Sequence, residues 1–129
     1  MKVFLGPYNN DGSKRKEVVE LDDYDTWNAD YTLAVIAYPL LKKLRETKHS
    51  YPLSDMEEAP QELPKEARWD WILDQMIWSF EQMQSEDHED KFFDPETYKL
   101  INPEEYKAHE DKITYGCMLF GKYFRHLWD

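Results

Sequence analysis

The sequence predicts an α+β domain that is mainly α, with an N-terminal β-hairpin packed on about three main helices. Three observations carry this. Apolar residues make up 41% of the 129-residue chain and aromatics 16%, enough for a packed core built on large rings. Three long segments place apolar residues at three- and four-residue steps, the period of one helix face. Two short apolar runs near the start flank a turn-forming stretch and have strand character instead. The length suits one domain spanning 1–129.

The hairpin is assigned to residues 1–21. Val3–Phe4–Leu5 forms a short strand that Gly6–Pro7 closes, too brief a run for a leader peptide. Asn9–Asn10–Asp11–Gly12–Ser13 is a turn signal, and Val18–Val19–Glu20–Leu21 reads as the return strand. An isolated hairpin is marginal, so its apolar side is expected to lie on the helices.

Helix one is predicted over 25–48, capped by Asp25 or Thr26, with acids near its start and Lys42, Lys43, Arg45 and Lys48 near its end. Between Tyr31 and Leu41 it is apolar almost all round, which predicts a central, well-covered helix kinked at Pro39. Residues 50–64 hold three prolines and read as a surface connection. Helix two is predicted over 64–84, with Trp69, Leu73, Met76, Phe80 and Met83 on one face and Trp71 and Trp78 beside it. Ser85–Asp90 is a charged loop. Helix three, over 102–128, has Asn102 as N-cap, Pro103 at its first position and Glu104 and Glu105 in its first turn. Gly116 and Gly121 weaken it locally and allow another helix to approach closely.

The net charge is −11, and it is uneven. Residues 51–101 carry fourteen acids against four bases, whereas residues 1–50 carry eight of each. That balance argues against direct nucleic-acid binding and against an anionic membrane surface. No apolar run approaches the length of a membrane span. The single cysteine, Cys117, gives no disulfide framework and suits a reducing, cytosolic setting.

Catalytic chemistry is hard to find in the sequence. Glu46 and His49 form one Glu-x-x-His pair, but a di-iron bundle needs two. His109–Glu110 begins like a zincin motif, yet residue 113 is Ile. Asp87–His88–Glu89–Asp90 lacks the spacing of a calcium loop. Neither a nucleophile elbow nor a phosphate-binding glycine loop is present. No catalytic set, cofactor or metal is therefore expected, and a metal-dependent enzyme is the weakest of three readings.

Binding is the stronger one. Arg68, Trp71 and Trp78 on helix two, with Lys122, Tyr123, Arg125 and Trp128 at the end of helix three, interleave aromatic planes with cations. Such a set stacks a base and meets a phosphate, or forms an interface hot spot. A separate reading takes Glu57, Glu58, Glu62, Glu66, Asp70 and Asp74 as a carboxylate stripe imitating DNA.

The string Arg68–Trp69–Asp70–Trp71–Ile72–Leu73–Asp74, continuing through Met76–Ile77–Trp78 to Phe80–Glu81, and the segment Leu119–Asp129 resemble a family of small uncharacterised proteins of tailed bacteriophages. Asp25–Thr26–Trp27, Tyr31–Ala34 and Leu44–His49 add to the resemblance, which spans most of the chain. Gln75 stands where the family pattern has an acid, and the turn at residues 9–16 is shorter. The resemblance implies a phage product in the host bacterial cytoplasm and brings no activity with it. The expectation is a non-enzymatic counter-defence protein that sequesters a small nucleotide-type ligand. The alternative is an acidic inhibitor docking on a host protein. Homo-oligomerisation is one way for so small a chain to build a pocket.

Overall fold

The computed structural model describes all residues, Met1–Asp129. Its elements are β1 (Lys2–Leu5), β2 (Glu17–Glu20), α1 (Ala29–Thr47), α2 (Lys65–Met83) and α3 (Pro103–Lys122). Single 3-10 turns lie at Asp23–Thr26, Asp90–Phe92 and Phe124–His126. The class is α+β, mainly α. None of the helices is long and apolar enough to cross a membrane.

β1 and β2 pair antiparallel, with Val3 opposite Val19 and Phe4 opposite Val18. Their connection organises itself. The Asp11 carboxylate accepts from the Ser13 amide at 2.9 Å and from its hydroxyl at 2.7 Å. Gly12 takes a φ of 83°, which only glycine adopts without strain. Unlike the arrangement the pattern predicts, neither strand comes near a helix, and Val3, Phe4, Leu5 and Val19 stay exposed. The hairpin is fastened at its base, where the Met1 ammonium lies 3.3 Å from Asp22 and 3.0 Å from Asp25.

α1 begins at Ala29, later than the Asp25 cap would place it, because Asp23–Thr26 first closes as a 3-10 turn and Asn28 takes the N-cap. Pro39 sits inside the helix on its exposed side, so the carbonyl that its missing N–H leaves free is not buried against another element.

The central helix is α2, which corrects the expectation for α1. α2 packs against α1 on one flank and α3 on the other, while α1 and α3 make no close backbone approach. The reason lies in the buried stripe Trp69, Ile72, Leu73, Met76, Ser79 and Phe80, which is broad enough to serve two neighbours. α1 buries only Ala34 and Leu41 fully, and Leu33, Val35, Ile36 and Leu40 remain exposed. Its charges still help to seat it. Arg45 pairs with Asp74 at 2.6 Å and Lys48 with Asp70 at 2.6 Å, which joins the end of α1 to the first half of α2.

α3 carries the predicted cap, with the Asn102 side chain accepting from the Glu105 amide at 3.2 Å. It ends at Lys122, not 128, and the chain tightens into the 3-10 turn Phe124–His126. The two glycines behave differently. A Cβ at Gly116 would lie 1.9 Å from Ser79 Oγ and 2.7 Å from the Gln75 carbonyl oxygen, so α3 crosses α2 at a point only glycine permits. At Gly121 a Cβ would meet nothing.

Residues 50–64 are more than a surface connection. Met56 and Ala59 reach into the main core cluster, and Met56 is 1% exposed. Met56 adopts a φ of 49°. That conformation costs of order 1–3 kcal/mol, while burying a methionine side chain contributes about 1.5–3 kcal/mol. The two are comparable, and the segment's hydrogen bonds hold the strained conformation in place.

Two substitutions separate the glycines. Gly116→Ala is expected to destabilise the fold by about 1–3 kcal/mol in denaturant titration, because overpacking outweighs the gain in helix propensity. Gly121→Ala is expected to stabilise it by up to about 1 kcal/mol.

Candidate functional site

The cations predicted to meet a ligand are turned largely inward. The Arg68 guanidinium donates to the carbonyls of Leu63 at 2.8 Å, Asp55 at 3.0 Å and Gln61 at 2.7 Å. Lys65 reaches the Leu53 carbonyl at 3.0 Å, and the Gln61 side-chain amide donates to the Ala59 carbonyl at 2.9 Å. Lys122 bridges Glu57 and Glu58, and the buried Tyr123 donates its hydroxyl to Glu58 at 2.6 Å. Arg68, Lys122 and Tyr123 therefore converge on one object, the 53–63 segment, and hold it against the helices.

The electrostatics of this clamp are coupled. Burial alone would raise the Glu58 carboxyl, but the Lys122 ammonium and the Tyr123 hydroxyl outweigh it and hold Glu58 below the usual range. Burial and the Glu58 hydrogen bond push the Tyr123 phenol up, and the two carboxylates raise Lys122. Of the six acids in the proposed DNA-like stripe, four are engaged in ion pairs: Glu57 and Glu58 with Lys122, Asp70 and Asp74 with α1.

Trp71 and Trp78 lie elsewhere on α2. Trp71 is half-buried at the edge of the core. Trp78 has Lys112 over its face at 4.0 Å and the His109 ring against it at 5.4 Å. Neither is brought to the C-terminal residues. Trp69, the fully buried tryptophan, packs on Tyr123 at 5.7 Å.

Two of the predicted residues remain open. Arg125 is exposed and makes no ion pair. Trp128 is 64% exposed and, with His126, forms one side of a cleft of about 420 Å³ whose other side is Ser50–Ser54. Tyr51 and Leu53 supply apolar surface there, and Ser50 and Ser54 supply hydroxyls. None of the lining residues is acidic. The wall is fixed from behind, since Asp129 accepts from the His49 amide at 2.6 Å and contacts its imidazole at 3.1 Å. A smaller cleft lined by Ser54, Glu57, Lys122 and Tyr123 adjoins it. Sequence reasoning missed Tyr51; its one signal was an aromatic beside Pro52 in a segment read only as connection.

The motifs weighed for metal settle into other roles. His49 holds Asp129, and Glu46 is exposed on α1. His88 Nδ1 and His109 Nε2 lie 3.1 Å apart, bringing the charged loop onto α3. Burial, then the neighbouring His88 and Lys91, depress His109. Burial and a hydrogen bond with Glu89 raise Glu110. No three His, Cys, Asp or Glu side chains converge on a metal position. Cys117 is half-buried beside Met83, and burial pushes its thiol up, away from nucleophilic use.

The Glu58 clamp makes a signed pH prediction. Its carboxyl is held lower in the folded chain than its ordinary value of about 4.3, so its contribution is present above that value and lost as pH falls through the folded pKa. Glu58→Gln is expected to lower stability at neutral pH by about 1.5–3 kcal/mol. The gap from wild type should close on acidification, as read by chemical denaturation at several pH values.

Comparison of the chain with protein-family models, with curated proteins and with solved structures finds no match.

Proposed function

We propose that this chain is a phage-encoded, non-enzymatic binding protein that sequesters a small nucleotide-type ligand in the bacterial host, countering a defence signal. The observation that carries the reading is the acid-free aromatic cleft between Ser50–Ser54 and His126–Trp128, on a protein whose net charge is −11. Tyr51 and Trp128 offer planes for stacking. His126 stands beside them as a donor to a phosphate, and Ser50 and Ser54 as donors to a sugar or base edge. Relative to the seven residues read from the sequence, this site keeps Trp128 and adds Tyr51 and His126.

The absence of acids matters more than the number of bases. A carboxylate in the wall would repel a phosphate in a partly desolvated cleft. Of the acids flanking it, Asp129 is held by His49, Glu57 and Glu58 share Lys122, and Asp55 lies exposed to solvent 4.0 Å from Lys65. The reading as a DNA-mimicking inhibitor draws less support, because four of its six carboxylates are engaged by Lys122, Arg45 and Lys48.

A thermal-shift panel of cyclic and linear nucleotides tests the proposal. A ligand should raise the melting temperature of the wild-type chain and quench tryptophan fluorescence, and Trp128→Ala or Tyr51→Ala should abolish both effects while leaving the unliganded melt in place. No shift with any nucleotide at saturating concentration removes the idea.

A further inference from the structure

An apolar groove runs between α1 and α3 along the open side of α2. Leu33, Ile36 and Leu40 form one lip, Phe120 and Phe124 the other, and Phe80 and Met83 of α2 lie between. It continues to Leu44 and Leu127. Leu33 is 63% and Leu40 65% exposed. Two helices packed on α2 with no close backbone approach between them occupy three corners of a bundle and leave the fourth open.

We infer that a second copy of this chain fills the groove, its α1 lying antiparallel to the first α1 about a two-fold axis. Three features single out this occupant. The first is the chain's own unmet requirement. α1 is apolar almost all round, yet the monomer covers only one side of it. A two-fold contact covers both the groove and the bare side of α1 in one step, as an isologous interface does. Leu33, Ile36, Ala37, Leu40 and Leu44 also recur at the three- and four-residue steps that seat one helix against another.

The second feature is charge order along the groove. One end carries acids: Asp30 lines the groove, and Glu86 lines the adjoining hollow that shares Asp30 and Met83. The other end carries bases. Lys43 lies two turns beyond Ile36, and the unpaired Arg125 follows Phe124. Asp30 and Lys43 are separated along the helix by about 20 Å. An antiparallel copy sets the acidic end of each chain against the basic end of the other.

The third feature is what the groove leaves out. Asp30 is the only charged residue lining it, so a chain of net −11 can bring this face onto its own copy without opposing carboxylates along the seam. A parallel arrangement would place acid on acid and base on base.

Sedimentation or light scattering of the full chain tests this directly. The wild type should run at twice the 15.6 kDa chain mass, and Leu40→Glu at the mass of one chain with its helical circular dichroism unchanged. A charge pair tests the geometry independently of folding. Asp30→Lys with Glu86→Lys leaves bases at both ends, and Lys43→Glu with Arg125→Glu leaves acids at both ends. Each variant should dimerise more weakly by itself, and an equimolar mixture should restore the dimer. A wild type that stays monomeric at every attainable concentration overturns the proposal. So does a Leu40→Glu chain that remains a dimer, or a mixture that fails to re-form one. A monomeric wild type that captures an added amphipathic helical peptide assigns the groove to a foreign helix and equally overturns it.

Discussion

Gly116 of α3 lies against Ser79 and the Gln75 carbonyl of α2, at a distance that excludes a side chain, and most of the architecture follows from that crossing. The Ser79 hydroxyl donates to the Lys112 carbonyl at 3.2 Å, so the approach is hydrogen-bonded as well as close. With α3 drawn in there, Leu119 and Tyr123 reach the Trp69–Met76 half of α2, and Tyr123 arrives where it can take hold of Glu58. α1 is left the other flank of α2, seated by Leu41 and by the ion pairs of Arg45 and Lys48. The open side between α1 and α3 is the geometric remainder of this arrangement.

The same crossing organises the acidic middle of the chain. Fourteen acids in residues 51–101 would repel one another if all were free in solvent. Several are matched to cations from a different element: Lys122 of α3 holds Glu57 and Glu58, while Arg45 and Lys48 hold Asp70 and Asp74. Arg68 acts differently, spending its guanidinium on three backbone carbonyls and so fixing the path of the strap instead of cancelling charge. Cations that looked like ligand contacts in the sequence are thereby largely structural, and the aromatic cleft owes its shape to them.

Helix periodicity made the fold legible. The Trp69–Met83 stripe and the Asn102–Pro103 start define α2 and the beginning of α3 to within a residue, because amphipathic spacing and capping are local properties, whereas the end of α3 falls six residues before the expected one. What was not legible depends on relative placement. A run such as Tyr31–Leu41 states that apolar surface must be covered, but not whether the chain itself or another molecule covers it. Met56 gave no periodic signal, since one strained residue inserting into a core has no pattern to read. Of the seven residues read as a ligand set, Trp128 and Arg125 stay open to solvent, while Arg68 and Tyr123 turn inward and Lys122 lies across Glu57 and Glu58. Composition does not distinguish a guanidinium aimed at a carbonyl from one aimed at solvent.

The hairpin's isolation has a consequence for how the molecule opens. Joined to the rest by the Met1 ammonium and the connecting chain, β1 and β2 form a cooperative unit separate from the helices. Their four-residue ladders should open and close many times while the helical core stays shut, so their amides exchange with solvent at rates set by local fraying. Amides around Leu73, Met76 and Leu119 exchange only when the whole bundle comes apart. One chain thus holds two protection classes.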